Sequence, residues 1–118
     1  MEREDYVVAE TDLGRVSVSS DAIAQVVRYA AVESYGVVGM AGRRGWARLL
    51  SWGSRNAIHV ERRDDGLAIE LRVVVEHGLR LAEVGAAVRA RVLYELERQF
   101  GMPVASLEVH IDRVRKSR

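Results

Sequence analysis

The sequence predicts a small α+β domain in which two helices cover one face of a mainly antiparallel sheet. Two long segments repeat apolar residues every three or four positions, as amphipathic helices do. Shorter segments alternate apolar and polar residues, which is typical of strands with one buried face. The elements follow in the order β(β)αββαβ, for which a ferredoxin-like split βαβ arrangement is the simplest closure.

Length and composition predict a single domain over residues 1–118. A hydrophobic fraction of 48% and one proline suit a chain that buries a core. The formal net charge is +1, so no overall field attracts nucleic acid or a membrane. The absence of cysteine excludes disulfides and thiolate metal sites. The chain shows neither a secretory signal nor a membrane-spanning run of roughly 18 apolar residues, so we expect a cytoplasmic protein.

The first half of the chain predicts a hairpin followed by a helix. Strands at 6–10 and 14–18 are separated by turn residues and are expected to pair. Ser19 or Ser20 then caps a helix over about residues 20–35. The predicted apolar face of this helix consists of Ile23, Val26, Val27, Ala30 and Ala31. Gly36 is expected to end the helix in a left-handed conformation. Residues 37–41 are too apolar for a free loop and should pack under the helix ends.

A second hairpin is predicted from strands at 56–62 and 67–76, joined by the turn RDDG. Two registers keep the apolar faces of these strands aligned. The register that sets His59 opposite Glu70 avoids an opposed pair of glutamates, so we prefer it.

The end of the sequence predicts a long helix and one more strand. Apolar residues recur at helical spacing over residues 81–100, and Gly101 is expected to stop the helix. The segment 106–112, SLEVHID, then alternates as a strand with Leu107, Val109 and Ile111 directed inward. Residues 115–118 form a basic tail.

The segment 42–55, GRRGWARLLSWGSR, is an arginine-rich connection whose glycines predict mobility. Two interpretations stay open. It is a helix that binds a partner, an anionic membrane surface or nucleic acid, or a connecting helix whose Trp46 and Leu50 complete the core. The contact surface predicted by the first interpretation consists of Arg43, Arg44, Trp46, Arg48 and Trp52.

No catalytic or ligand-binding motif is visible in the sequence. His59, His77 and His110 stand singly, without the spacing of a metal site. The serines lack a nucleophile elbow, and the glycine-rich region lacks the pattern of a phosphate loop. The outward strand residues are acidic and free of aromatics, which argues against RNA binding by the sheet. We therefore expect a non-catalytic protein without cofactor, metal, small-molecule substrate or specific nucleic acid.

Two runs resemble a known family. SSDAIAQVVRYAAVESYGVVGMAG resembles the first half of the alkaline shock proteins, the envelope stress response proteins of Gram-positive and related bacteria. HGLRLAEVGAAVRARVLYELERQFGMPVASLEVHIDRV resembles the second half, and together the match covers residues 10–114. The resemblance implies a stress-related cytoplasmic protein that self-assembles and reaches the inner face of the membrane through a membrane-anchored partner. It supplies no catalytic or ligand-binding residues.

Overall fold

The computed structural model describes residues 5–40 and 57–116. These residues form six strands and two helices, which confirms the predicted α+β class with two helices and mainly antiparallel strands. The elements are β1 (Asp5–Thr11), β2 (Gly14–Ser19), α1 (Ser20–Val32), β3 (Val37–Met40), β4 (Ile58–Arg63), β5 (Gly66–Glu76), α2 (Leu81–Phe100) and β6 (Val104–Arg115).

Strand β5 is the centre of the main sheet. Strand β6 runs parallel to β5 along one of its edges. Strands β4 and β3 pair antiparallel with β5 at positions 66–71 and 73–75, so they share the other edge. His59 lies opposite Glu70, which confirms the predicted register of the central hairpin. Strands β1 and β2 pair antiparallel as predicted and form a separate two-stranded sheet.

Helix α1 begins where the sequence predicted and ends earlier. The Ser19 hydroxyl accepts a hydrogen bond from the Ala22 amide at 3.1 Å, so Ser19 is the N-cap. The last helical residue is Val32, because the buried Ser34 hydroxyl donates to the Ala30 carbonyl at 2.9 Å and the chain turns there. Gly36 has a positive φ of 89° but lies in the turn before β3. Its assignment as the residue that ends the helix is therefore wrong.

Helix α2 has the predicted bounds. Its buried residues recur every four positions and face the core, and they are Val84, Val88, Val92 and Leu96. Gly101 is left-handed, with φ 65°, and its amide donates to the Glu97 carbonyl at 3.0 Å, which confirms the predicted stop.

The core lies between the two helices and one face of β5. The β5 residues on that face are Leu67, Ile69, Leu71, Val73 and Val75, and none is more than 2% exposed. Ile23 and Val27 of α1 belong to the same buried cluster. Val109 and Ile111 of β6 pack against the same core but are only half-buried. Burial therefore decreases from the central strand toward the β6 edge.

The β4–β5 turn is held against the loop that follows α2. Gly66 has φ 135°, and a Cβ on it would lie 2.7 Å from the Pro103 carbonyl oxygen. The next amide, that of Leu67, donates to this same carbonyl at 3.0 Å. Only glycine lets the two backbones approach this closely.

Candidate contact surfaces

The contact surface predicted from the sequence lies outside the described residues. It comprises Arg43, Arg44, Trp46, Arg48 and Trp52, and residues 41–56 are not described. The assignment therefore stays a prediction, as does the mobility of the connection 42–55.

The three histidines lie at separate places. His59 Nε2 is 3.5 Å from Glu61 Oε1 on the exposed side of β4. His110 is exposed on β6, and His77 follows β5, where its amide donates to the Arg115 carbonyl at 2.9 Å. Within residues 5–40 and 57–116, no three histidine or acidic side chains come together as metal ligands would. The described surface offers contacts and no visible metal chemistry.

The outer face of the main sheet carries two charged rows side by side. Glu70 of β5 pairs in register with Glu108 of β6, which makes an acidic row. Arg72 pairs with His110 in the next row of the same face, and its Nη1 lies 3.4 Å from Asp112 Oδ1. The opposed glutamates repel each other. A partner with a basic group beside Glu108 would relieve that repulsion.

A polar network joins the two helices on their outer side. Arg91 Nη2 lies 2.8 Å from Oε1 of Glu33, the residue that follows α1, and Arg91 Nε lies 3.5 Å from Glu95 Oε2. The Gln99 amide donates to Glu95 at 2.9 Å, and Arg98 lies 3.0 Å from the same carboxylate. These hydrogen bonds, the one from Gln99 first, lower the pKa of Glu95. The network therefore favours the charged form of Glu95, and its Arg91–Glu33 ion pair links α2 to the end of α1.

Two exposed tyrosines border this network. Tyr29 lies one turn before Glu33 on α1, and Tyr94 is directly before Glu95 on α2. The guanidinium carbons of Arg28 and Arg98 lie 5.8 and 6.0 Å from the centres of the Tyr29 and Tyr94 rings. This surface was not predicted from the sequence. Its only signal was an aromatic residue on the polar side of each helix.

An open cleft of about 380 Å³ separates the β1–β2 hairpin from the β4–β5 turn. Its walls include Tyr6, Arg62 and Pro103. The Arg62 guanidinium carbon lies 4.5 Å from the centre of the Tyr6 ring, and Arg62 Nη2 donates to the Asp5 carbonyl at 2.9 Å. These contacts attach the hairpin to the main body. Arg62 is engaged in that attachment, so we assign the cleft a structural role.

Neither helix in the described ranges combines the length and the apolar character that crossing a membrane requires.

A protein-family model that matches most of the sequence identifies the family of this chain. The model of the alkaline shock protein 23 family, which is described as having a cell envelope-related function, matches residues 8–116. The chain belongs to the alkaline shock protein 23 family. This confirms the resemblance that the sequence predicted.

Two curated relatives match the chain over nearly their whole length. YloU of Bacillus subtilis strain 168 is 28% identical over 110 residues, covering 89% of this chain and 92% of YloU. Spy1614 of Streptococcus pyogenes serotype M6 is 28% identical over 114 residues, covering 92% of this chain and 94% of Spy1614. Both are described as uncharacterised, so they support the family assignment and add no activity.

Solved structures of MamM CTD share the fold. The copper form has a TM-score of 0.57 at 16% identity, and covers 80% of this chain and 85% of that chain. A variant of the same domain has a TM-score of 0.57 at 18% identity, with coverage of 80% and 96%. At these identities the likeness concerns the fold alone. Copper belongs to the first of those structures and is not carried over to this member of the alkaline shock protein family.

Proposed function

We propose that this protein is a non-catalytic cytoplasmic protein that acts by protein–protein contact at the inner face of the cell membrane. Its partners are a membrane-anchored protein and further copies of itself. The observation that carries the proposal is the family match over residues 8–116, because that family is described as cell envelope-related.

The described surface supports contact in preference to catalysis. Its histidines lie apart, and no three potential metal ligands come together within residues 5–40 and 57–116. Its distinctive features are charge rows, exposed tyrosines and a strand edge, all of which suit binding of another protein. Among the described residues, the outer face of the sheet presents Glu70 and Glu108 and no aromatic side chain, which does not suit stacking of bases.

Attachment through lipid alone would be weak. The basic residues of the arginine-rich connection are Arg43, Arg44, Arg48 and Arg55. Each is worth about 1 kcal/mol near an anionic surface. Four of them would give about 4 kcal/mol, which corresponds to roughly millimolar affinity. Stable attachment then requires a membrane-anchored partner or an assembly that multiplies the contacts.

Inside-out membrane vesicles from the protein's own cells, which expose the inner face of the membrane, test the proposal. Purified protein should co-sediment with these vesicles at physiological salt, and should be lost from vesicles whose exposed proteins were removed by protease. It should not co-sediment with pure anionic phospholipid vesicles. Equal binding to protease-treated and untreated vesicles would contradict attachment through a partner protein.

A double variant separates the lipid-binding alternative from the proposal. Arg44→Glu with Arg48→Glu should release the protein from native membrane vesicles and from pure phospholipid vesicles if residues 43–55 form a lipid-binding helix. Under our proposal the isolated wild-type protein does not bind lipid vesicles, so the variant has no lipid binding to lose. Tight, salt-sensitive binding of the monomer to lipid, abolished by this variant, would contradict the proposal.

A further inference from the structure

The free edge of β6 is the longest open strand edge in the described part of the chain. Strand β6 spans 12 residues and, among the described strands, pairs with β5 alone. Its sequence, VASLEVHIDRVR, contains no proline that would interrupt a new backbone ladder. Such an edge is a template for pairing with another strand.

Within residues 5–40 and 57–116, apolar side chains of the core stay partly exposed at this edge. Val109 and Ile111 are half-buried, although their β5 neighbours Leu71 and Val73 are completely buried. Leu93 and Phe100 of α2, which pack against the same core, are half-buried as well. A strand added beside β6 would cover this strip and extend the core. Burial of that apolar surface would favour the association.

The charges on the outer face indicate which strand fits. Glu108 ends the acidic row that begins at Glu70, and His110 ends the adjacent row that begins at Arg72. A partner strand should therefore place a basic group beside Glu108 and an acidic group beside His110. Strand β6 itself carries the basic group, His110, two positions after the acidic group, Glu108. In an antiparallel second copy this order is reversed, so each group would face its counterpart.

We propose that a second copy of this chain pairs edge to edge with β6, antiparallel, about a two-fold axis at Val109. This interface rests on the proposed function, because it identifies the surface through which the protein contacts itself. In this register Glu108 of each copy faces His110 of the other. On the core side Leu107 faces Ile111 of the second copy, and Val109 faces its own equivalent. The sheets of the two copies become continuous.

The neighbouring registers are electrostatically unfavourable. An axis at Glu108 opposes the two Glu108 carboxylates directly. An axis at His110 sets Glu108 opposite Asp112 of the second copy and the two His110 rings opposite each other. Like charges directly opposed across strands destabilise the pair. The chosen pairs also lie within Ser106–Ile111, the regular stretch between the irregularities of the β5–β6 ladder.

Charge substitutions test the register by sedimentation equilibrium of the full chain. His110→Glu opposes two glutamates twice per dimer and should weaken self-association by about tenfold or more. The double variant Glu108→Lys with His110→Glu reverses the pair and should restore association. His77→Glu is the control, because it makes the same change at an exposed histidine in the turn after β5, away from β6's free edge. Equal effects of His110→Glu and His77→Glu would overturn the proposal.

A single cysteine provides a second measurement, because the natural chain has none. Directly opposed residues of an antiparallel pair bring their Cβ atoms to about 4.5–5.5 Å, close to disulfide distance. Val109→Cys should therefore form a disulfide-linked dimer under mild oxidation much faster than Val60→Cys. Val60 is a matched control, since it is a half-buried valine on the other edge strand, β4. Equal rates would contradict the β6 interface.

The outcomes distinguish this interface from the proposed function. If the protein self-associates but neither His110→Glu nor Val109→Cys differs from its control, the β6 interface is wrong and self-contact through another surface stands. If the wild type stays monomeric while protein-dependent membrane binding persists, the β6 interface is again wrong and the membrane partner stands. Association that follows the charge swap, with thermal stability unchanged, supports the interface.

Discussion

Strands β5 and β2 carry the same alternating apolar pattern but have opposite environments. The alternating residues Leu71 and Val73 of β5 are completely buried, whereas Val16 of β2 is 57% exposed. Strand β5 is paired on both edges and covered by helices on one face, and β2 belongs to a sheet of two strands. Alternation thus predicts a strand, but the depth of burial depends on how many elements surround it.

The main anchor of the hairpin β1–β2 is Tyr6, and Val18 and Arg62 add further contacts with the main body. Tyr6 is completely buried and joins the main core, while Val7 and Leu13 of the hairpin are 45% and 99% exposed. The main body, in contrast, distributes its burial over both helices and β5. The hairpin should therefore respond most strongly to changes at Tyr6 and weakly at exposed positions such as Val16.

Removing the anchor should give the largest effect. Tyr6→Ala deletes a completely buried aromatic ring and the stacking of Arg62, so we expect a loss of about 3–5 kcal/mol in the free energy of unfolding. Urea denaturation measures the loss, and hydrogen exchange should locate it in β1 and β2. Tyr35→Ala, at a side chain that is 76% exposed, is the control. If β1 and β2 keep their protection from hydrogen exchange in Tyr6→Ala, Tyr6 is not the main anchor of the hairpin.

Matched valine substitutions compare the two regions directly. Val88→Ala removes methyl groups from the closed core under α2 and should destabilise the protein by about 1–3 kcal/mol. Val16→Ala makes the same change on the exposed hairpin and should stay within about 0.5 kcal/mol. Thermal unfolding of both variants checks this difference. Similar melting temperatures would show that Val16 is covered in solution.

Two glycines with positive φ extend the comparison to the backbone. A Cβ on Gly36 would lie 2.9 Å from Leu79 Cδ1 and 3.0 Å from Val84 Cγ2, whereas one on Gly14 would meet nothing within 4 Å. Both alanine variants carry the conformational penalty of about 1–2 kcal/mol, and Gly36→Ala adds a steric clash. Chemical denaturation should therefore find Gly36→Ala the less stable. The reverse order would contradict the crowding at Gly36.

The smallest effect should come from the tether between the regions. Arg62→Lys keeps the charge but loses the planar group over Tyr6 and the hydrogen bond to the Asp5 carbonyl, so we expect about 0.5–1 kcal/mol. Arg63→Lys, at the exposed neighbouring position, is the control. Hydrogen exchange in β1 should accelerate in the first variant alone. Acceleration in both would indicate a general charge effect.

Local signals predicted most of the fold. The bounds of α2 follow from its periodicity and from Gly101, and the register of the central hairpin follows from the charges of Glu61 and Glu70. The early end of α1 was missed because Ser34 competes for the Ala30 carbonyl, which no spacing rule shows. The parallel pairing of β6 with β5 was missed as well, since alternation within a strand does not identify its neighbour.

The contact surfaces were harder to predict than the fold. The arginines and tryptophans of residues 43–55 predicted a contact surface there, and this assignment stays a prediction. The charge rows of the outer sheet face arise only when Glu70 and Glu108, 38 positions apart in the sequence, become neighbours. Neither residue is unusual on its own strand. Such a surface is a property of the register between distant strands, so single-strand patterns cannot reveal it.

The parallel pairing of β5 with β6 also has a consequence for biosynthesis. Strand β5 is translated before residues 77–103, and β6, which covers its edge from Leu67 to Glu76, is translated after every other described element. During that interval the most apolar strand of the protein has one uncovered edge, which can pair with other nascent chains. Chaperones that bind extended apolar segments would find their target in β5 until β6 docks.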